Sequence, residues 1–514
     1  MMRCCCTILR APQPAPRREI SMWHDFIGEF AKKKPHHPAI IDKIANTTHT
    51  YHAMESLIQR WGNLLHARGI GQGDRVVWLA PACMEHILLF FACARVGAIL
   101  VPLNHRLPPS ELAGILDLVE PQLFLGSIPP PPGQRFPYLP LDAVDITADR
   151  PTAPAHSVAD DDPMLMLFTS GSTGMPKGVL FHAAMIMANI RNTVDADVLE
   201  ADDISIVNTP FFHTGAYHVF LLPLLSMGGT LLLFDRFDPG GVLQAIRDEG
   251  ITIFWAVPTM FQAIYDHPDF AATDFSRIRC LLSGGAPLNV ALMKGYHARG
   301  VPFKQGFGLT EVGPNCFLLD TEECWHRPDS IGKPMRHSQV LVVDDANQPV
   351  PPDQPGELLI GGPHLCRGYW RNEELFRNSL HEGCFRTGDL VRYDREGFFF
   401  VVGRKKEMYI SGGENVYPGE VEKQILTHPE ITQAVVVAVP DAKWTEVGYL
   451  FCVASREISL DELRLHLDQR LVRFKHPHHL RRLESLPLLA NGKINRVDLQ
   501  EMARRSVSGT GVDN

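Results

Sequence analysis

Ten residues after the apolar run Met164-Leu165-Met166-Leu167-Phe168 carry the densest chemistry in the chain: Thr169, Ser170, Gly171, Ser172, Thr173, Gly174, Met175, Pro176, Lys177 and Gly178. Glycines free backbone N–H groups to face an anion, hydroxyls donate to its oxygens, and a lysine adds a positive charge on a long arm. A buried strand opening into such a loop suits a polyphosphate better than a plain surface loop does. Pro176 stands before Lys177 where a Walker A loop requires Gly, so the kinase and GTPase templates are not implied.

Four more clusters follow in order: Gly306-Phe307-Gly308-Leu309-Thr310-Glu311, Thr387-Gly388-Asp389, Gly403-Arg404-Lys405-Lys406 and Asn491-Gly492-Lys493. With the first loop they resemble the signature of the adenylate-forming enzymes, the superfamily of acyl-CoA synthetases, peptide-synthetase adenylation domains and luciferases. The acyl-CoA synthetase branch is the most similar, and the likeness runs from about residue 25 to 500. The resemblance implies ATP, Mg²⁺ and coenzyme A as cosubstrate, with a carboxylic acid activated through an acyl-adenylate and passed to the CoA thiol.

The same resemblance implies a role for each site residue. Thr169, Ser170, Gly171, Ser172, Thr173, Gly174 and Lys177 would hold the polyphosphate, and Thr310 would contact phosphate beside Glu311, the metal ligand. Phe307 would stack on adenine between Gly306 and Gly308, against a wall of Gly284, Gly285 and Ala286 in Leu282-Ser283-Gly284-Gly285-Ala286-Pro287. Asp389, after the expected turn Thr387-Gly388, would accept the ribose hydroxyls, with Arg404 near the same sugar or phosphate. Lys493, on a tight Asn-Gly turn, would present its ammonium to the carboxylate and the α-phosphate. A domain rotation about Lys406 would then bring Gly412 and Gly413, of Ser411-Gly412-Gly413-Glu414-Asn415-Val416-Tyr417-Pro418, to the pantetheine arm. His213, in Thr209-Pro210-Phe211-Phe212-His213-Thr214-Gly215, would border the acyl tunnel.

The acyl-pocket candidates Tyr217 to Leu222 and Trp255 to Met260 contain no Lys or Arg, so medium-chain, long-chain and aryl acids all pass. Glu407 stands where the family usually has aspartate, Trp444-Thr445-Glu446 replaces the commoner Trp-Gly-Glu, and Leu488-Leu489-Ala490 lacks the basic or hydroxyl-rich approach to the lysine. An acceptor other than CoA, an unusual oxyanion substrate, and a silent acyl-nucleotide sensor or scaffold are the competing functions.

Short apolar runs alternate with helical patterns: Arg75–Leu79, Ala98–Pro102, Gln122–Leu125, Ile204–Asn208, Thr230–Phe234, Ile251–Ala256 and Arg279–Leu282. This predicts an α/β fold with ligand loops at strand ends. A large multi-sheet N-terminal domain, residues 21–403 with a β-rich subdomain at 340–402, precedes a small mobile α+β C-terminal domain at 404–505. Residues 1–20 form a flexible extension and 506–514 a tail. Ile128 to Pro140, with four consecutive prolines, reads as a connector, and Leu460 to Leu471 as a helix.

At 514 residues the chain has room for several cores, and its net charge of −9 does not favour a nucleic-acid partner. A local basic group, Arg473, Lys475, Arg481 and Arg482 with His476, His478 and His479, could receive CoA phosphates or be a solvated face. The longest apolar stretch, Ile87 to Leu100, is interrupted by Arg95 and reads as a buried helix followed by a strand, with no transmembrane segment. Eleven cysteines without metal-like spacing fit a reducing, cytoplasmic setting, Cys4, Cys5 and Cys6 being an inert terminus or a lipid or redox site. A homodimer is admissible.

Overall fold

The computed structural model describes residues 23–154, 156–169, 176–286, 288–488 and 494–507, together with the backbone of the strand Leu9–Arg10. Cys4, Cys5 and Cys6 and most of the extension 1–20, Ser170, Gly171, Ser172, Thr173 and Gly174, Lys493 with Asn491 and Gly492, and residues 508–514 of the tail lie outside the described residues. The chain divides into two compact units, one of residues 7–341 and 359–386, the other of 1–6, 342–358 and 387–514.

The larger unit holds three sheets that carry candidate site loops. In the first, the parallel strands Leu123–Gly126, Arg75–Leu79, Ile99–Pro102 and Pro163–Thr169 lie side by side. Lys177–His182 and then Gly368–Tyr369 are added antiparallel at one end. Central strands such as Ile99–Pro102 are buried along their whole length, as expected where both faces are covered. Ile87 to Leu100 resolves as predicted into a buried helix, Met84–Val96, and that strand. The second sheet sets Ile253–Ala256, Cys280–Ser283 and Phe303–Leu309 parallel, then turns back through Gly313–Leu319. The third is Ile204–Val207, Thr230–Leu233, Pro38–Asp42 and Thr47–Thr50.

The connector Ile128 to Pro140 ends in a short strand, Tyr138–Pro140, paired with Phe124–Gly126. The Phe136 and Tyr138 rings sit 5.6 and 5.5 Å from Phe124, and proline is tolerated because this is the sheet edge.

In the smaller unit, Ile431–Asp441 and Thr445–Ala454 form a long antiparallel hairpin, extended by Tyr409–Ser411, Glu414–Val416 and the parallel strand His479–Arg482. Side chains alternate across it with period two. Val436 and Leu450 pack under the helices Pro418–Ile425 and Leu460–Leu467, whereas Val435, Val437 and Phe451 pack against Leu499 and Ala503 of Arg496–Val507. The predicted helix Leu460 to Leu471 thus stops at Leu467. A second hairpin, Cys384–Tyr393 with Phe399–Arg404, carries Asp389 and Arg404. The architecture is the expected one: a large multi-sheet α/β part with β-rich elements and a smaller α+β part. Among the described residues no helix is long and apolar enough to cross a membrane.

Candidate active site

The candidate polyphosphate loop is framed by a hairpin. Pro163–Thr169 and Lys177–His182 pair antiparallel with Thr169 opposite Lys177, so the loop's two ends leave the sheet at one point. Beside Lys177, the short strand Gly368–Tyr369 pairs with Val179 and Leu180, and backbone hydrogen bonds from Arg367 to Leu180 and from Trp370 to Gly178 extend the match. The same segment reaches Glu311: Cys366 N–H donates to the Glu311 carbonyl at 2.7 Å, and the Tyr369 hydroxyl donates to Glu311 Oε1 at 3.0 Å. Lys177 Nζ stands 5.1 Å from the centre of the Tyr369 ring, within cation–π range. Burial, with the nearby Glu311 charge, pushes the Tyr369 phenol well above its ordinary value, so it remains the donor.

Lys177 and Glu311, 134 positions apart in sequence, are therefore gathered on one tyrosine. Among the described residues neither has an oppositely charged side chain within ion-pair range, and both are half-buried. No cluster of three or more His, Cys, Asp or Glu suited to a metal is found among the described residues. A single carboxylate suits magnesium nonetheless, because that ion keeps waters and takes its other ligands from substrate phosphates.

The nucleotide-wall candidates lie at the carboxyl ends of neighbouring parallel strands, where open α/β sheets bind ligands. Gly284 and Gly285 follow Cys280–Ser283, and Ala286 follows them, exposed. A Cβ on Gly284 would stand 3.1 Å from the Gly306 carbonyl, so the two loops touch through backbone. Phe307 is half-buried with its edge on Phe317, 5.7 Å between ring centres, which leaves part of the ring exposed. Thr310 and Glu311 form a single tight turn, Thr310–Val312, that ends at Gly313 with φ +77°. A Cβ on Gly313 would collide with the Asn189 side chain at 2.1 Å, so only glycine closes this turn. His364 Nδ1 anchors it from the other side at 2.7 Å from the Val312 carbonyl.

His213 is half-buried beside Phe212, 4.6 Å between ring centres, in the loop before a π-helical turn, Ala216–Leu221. Such turns are rare and concentrate at functional sites. Two buried histidines support it. His218 stacks on Phe181 at 5.0 Å and its carbonyl accepts from Asn315, while His86 meets the Tyr217 hydroxyl at 2.5 Å and stacks on Phe211. Burial lowers their pKa values to about 4 and about 3, so both rings are neutral at physiological pH. Gly215 lies under Trp255: the indole Nε1–H donates to the Gly215 carbonyl at 3.0 Å, and a Cβ at 215 would fall 2.3 Å from the ring.

The smaller unit carries the remaining candidates. Asp389 does not follow a turn. It sits inside the strand Cys384–Tyr393, directly opposite Arg404, and Gly388 bends that strand locally with φ +72°. Arg404 Nε approaches the buried Asp389 carboxylate at 2.7 Å, and Thr387 Oγ1 accepts from the Asp389 N–H. Gly412, with φ +61°, packs against the Trp444 ring and donates to the Trp444 carbonyl at 2.8 Å; Gly413 is exposed with open space around it. Glu407, half-buried, lies 3.6 Å from Arg496, which also binds both Glu422 oxygens at 2.8 Å. The basic group is largely engaged: Lys475 pairs with Glu420, Arg473 with Asp468, and Arg482 donates to the Ala454 carbonyl. Leu488 and Ile494, which flank the segment containing Lys493, bridge antiparallel.

The AMP-binding enzyme family model matches residues 27–370, and the model of the AMP-binding enzyme C-terminal domain matches 420–493. The chain belongs to the AMP-binding enzyme family. A feruloyl-CoA synthase of Amycolatopsis sp is 36% identical over 472 residues, covering 90% of this chain and 95% of the relative. A long-chain-fatty-acid–CoA ligase of Mycobacterium tuberculosis is 31% identical over 493 residues, covering 93% and 97%. The o-succinylbenzoate CoA synthetase of Bacillus subtilis, solved in complex with its acyl-adenylate intermediate, superposes with a TM-score of 0.86 at 27% identity, covering 93% and 98%. The protein is an AMP-forming acid–thiol ligase that uses ATP, Mg²⁺ and coenzyme A.

Two features of this region escape the motifs. Tyr369 lies in an ordinary-looking Gly-Tyr-Trp strand, and only the pairing with Lys177–His182 gives it meaning. The contact of Gly215 with Trp255 joins residues 40 apart, and the small residue before the helical turn is its one sequence trace.

Proposed function

We propose that the acid is apolar apart from its carboxylate, a medium- or long-chain fatty acid or an aryl acid, and that the aryl acid is preferred. The observation that carries this is the indole of Trp255 seated on Gly215. It offers a flat wall over Gly215, two residues along the chain from His213, and comes from near the end of Ile253–Ala256, the strand that pairs with the one leading into the Gly284 loop. No cation among the neighbouring residues calls for a second carboxylate. The relative named as a feruloyl-CoA synthase agrees with an aryl acid, and the one named for long-chain fatty acids marks the competing outcome.

In this reading a carboxylate oxygen of the acid attacks the α-phosphorus of ATP and pyrophosphate departs. The CoA sulfur then attacks the acyl carbon and AMP departs. Thr169 to Gly174 and Lys177 hold the departing phosphates, Thr310 contacts phosphate, and Glu311 holds the metal. Magnesium, when bound, neutralises charge on the phosphates. Phe307, with Gly306, Gly308, Gly284, Gly285 and Ala286, receives adenine. Asp389 receives the ribose hydroxyls as Arg404 shares its carboxylate. Lys493 stabilises charge during displacement, His213 borders the acid, and Gly412 and Gly413 pass the pantetheine arm after residues 404–505 rotate about Lys406. The eight described cysteines are free, seven of them buried, which supports a cytoplasmic setting.

The test is a panel of hydroxycinnamic, benzoic and C8–C18 fatty acids, with acyl-CoA read by mass spectrometry and acid-dependent pyrophosphate exchange read separately. Higher kcat/KM for the aryl acids supports the reading. A preference for aliphatic chains sinks its aryl part, and exchange without thioester sinks the assignment of Gly412 and Gly413.

A further inference from the structure

We propose that Tyr369 is a positioning residue for adenylation, its hydroxyl fixing the Glu311 carboxylate and its ring face holding the Lys177 ammonium until magnesium and polyphosphate take over both charges. This rests on the assignment of Glu311 to the metal and Lys177 to phosphate.

The geometry separates this from a buried tyrosine that merely needs a partner. The segment His364 to Trp370 is fastened at both ends of the site. His364 and Cys366 bind the backbone of the Glu311 turn, and Arg367 and Trp370 bind the backbone of the Lys177 strand. Tyr369 lies between these anchors, edge-on to Phe376 at 5.6 Å, with little freedom to turn. Its hydroxyl reaches Glu311 and its face reaches Lys177, and neither of these side chains is within ion-pair range of an oppositely charged side chain among the described residues.

A carboxylate accepting one hydrogen bond on Oε1 is held in orientation while its other oxygen stays available to a cation. An ammonium over a ring face is held weakly enough for phosphate to draw it off, because the cation–π attraction is far below that of a charge-assisted phosphate contact. The tyrosine thus keeps opposite charges from collapsing onto each other across the space that the substrate enters. It remains a phenol throughout and exchanges no proton.

Tyr369→Phe removes the hydroxyl and keeps the ring; Tyr369→Leu removes both. Binding of ATP is measured by calorimetry with magnesium and with EDTA, alongside melting temperatures, and the magnesium dependence of pyrophosphate exchange is titrated. The expected result for Tyr369→Phe is about tenfold weaker magnesium-dependent ATP binding and a similar rise in the magnesium needed for half-maximal exchange, with ATP binding in EDTA unchanged. Tyr369→Leu additionally weakens binding in EDTA by a few fold. In a Glu311→Gln background, Tyr369→Phe adds nothing. Equal loss with and without magnesium, or a fall in melting temperature alone, overturns the proposal. If Glu311→Gln itself leaves the magnesium dependence intact, the metal assignment fails instead. Should Tyr369→Leu not fold, the Phe variant and its Glu311→Gln cycle decide the matter.

Discussion

Replacing Gly215 by alanine is a one-methyl probe of the acyl wall. The position already has helical backbone angles, φ −61° and ψ −32°, so alanine adds no conformational strain and its effect is steric. The new Cβ would lie 2.3 Å from Trp255 Cζ2 and 2.7 Å from Cη2, whereas carbon atoms rest at about 3.5–4.0 Å. The indole must retreat by roughly 1 Å or more, which loosens the 3.0 Å bond from Nε1 to the Gly215 carbonyl. Overpacking of this kind costs about 1–3 kcal/mol, and the strained hydrogen bond about 1 kcal/mol more. If the displaced ring enters the acid's space, kcat/KM for an aryl acid falls about 10- to 100-fold, at 1.4 kcal/mol per decade. The KM for ATP should hold, because the Phe307 ring packs on Phe317 and Lys177 lies over Tyr369. Acid-dependent pyrophosphate exchange reads the first quantity and ATP titration the second. Gly215→Ala with Trp255→Leu should recover part of the loss, giving a positive coupling in the double-mutant cycle. Unchanged preference across the acid panel in Gly215→Ala, or an equal loss for ATP and acid, refutes the wall.

Thr445 has φ +72°, a region that β-branched residues almost never enter, so Thr445→Gly should raise stability by about 1 kcal/mol after glycine's entropy is deducted, read as a higher melting temperature. His86, His218 and His364 have folded pKa values lowered by burial to about 3, about 4 and about 4. Their ordinary value is about 6.5, so the unfolded chain binds more protons below that pH, and stability is lost as pH falls from 6.5 toward 4. At pH 5.5 the three together remove about 3–4 kcal/mol, and a melting temperature that is flat or rising between pH 7.5 and 5.5 contradicts this. Lys493→Ala should cut the adenylation rate far more than it weakens ATP binding, seen by comparing pyrophosphate exchange with calorimetry; lost thioester transfer from a preformed adenylate with normal exchange would remove its assignment.

What the sequence could disclose follows the range of the interactions involved. Strands such as Arg75–Leu79 are visible because burial on both faces writes a continuous apolar run. The glycine pair at 284 and 285 is visible as composition, and the structure gives it a steric reason, since a Cβ on Gly284 would stand 3.1 Å from the Gly306 carbonyl. Three features stayed hidden. Asp389 reads as a post-turn residue, yet Gly388 with positive φ also occurs within a strand when the partner strand bulges, and nothing local distinguishes the two. Tyr138–Pro140 is concealed by prolines that only an edge position admits. Tyr369 has no local mark because its meaning is wholly in pairing with a strand that begins 192 residues earlier.

Thr445 shows how a departure from a family pattern becomes physical. The family's usual glycine suits a left-handed backbone, and here the chain keeps that conformation with a threonine in its place. The conformation is retained because both neighbours are fixed. Asp441 caps the Lys443 and Trp444 amides at 2.8 Å, the Trp444 carbonyl binds Gly412, and Ser411 pairs with Thr445. The strain thus sits on the loop whose indole covers Gly412, the surface assigned to the pantetheine arm. These bonds fix the backbone of Trp444 beside Gly412, and the cost of the turn is left in the Thr445 torsion.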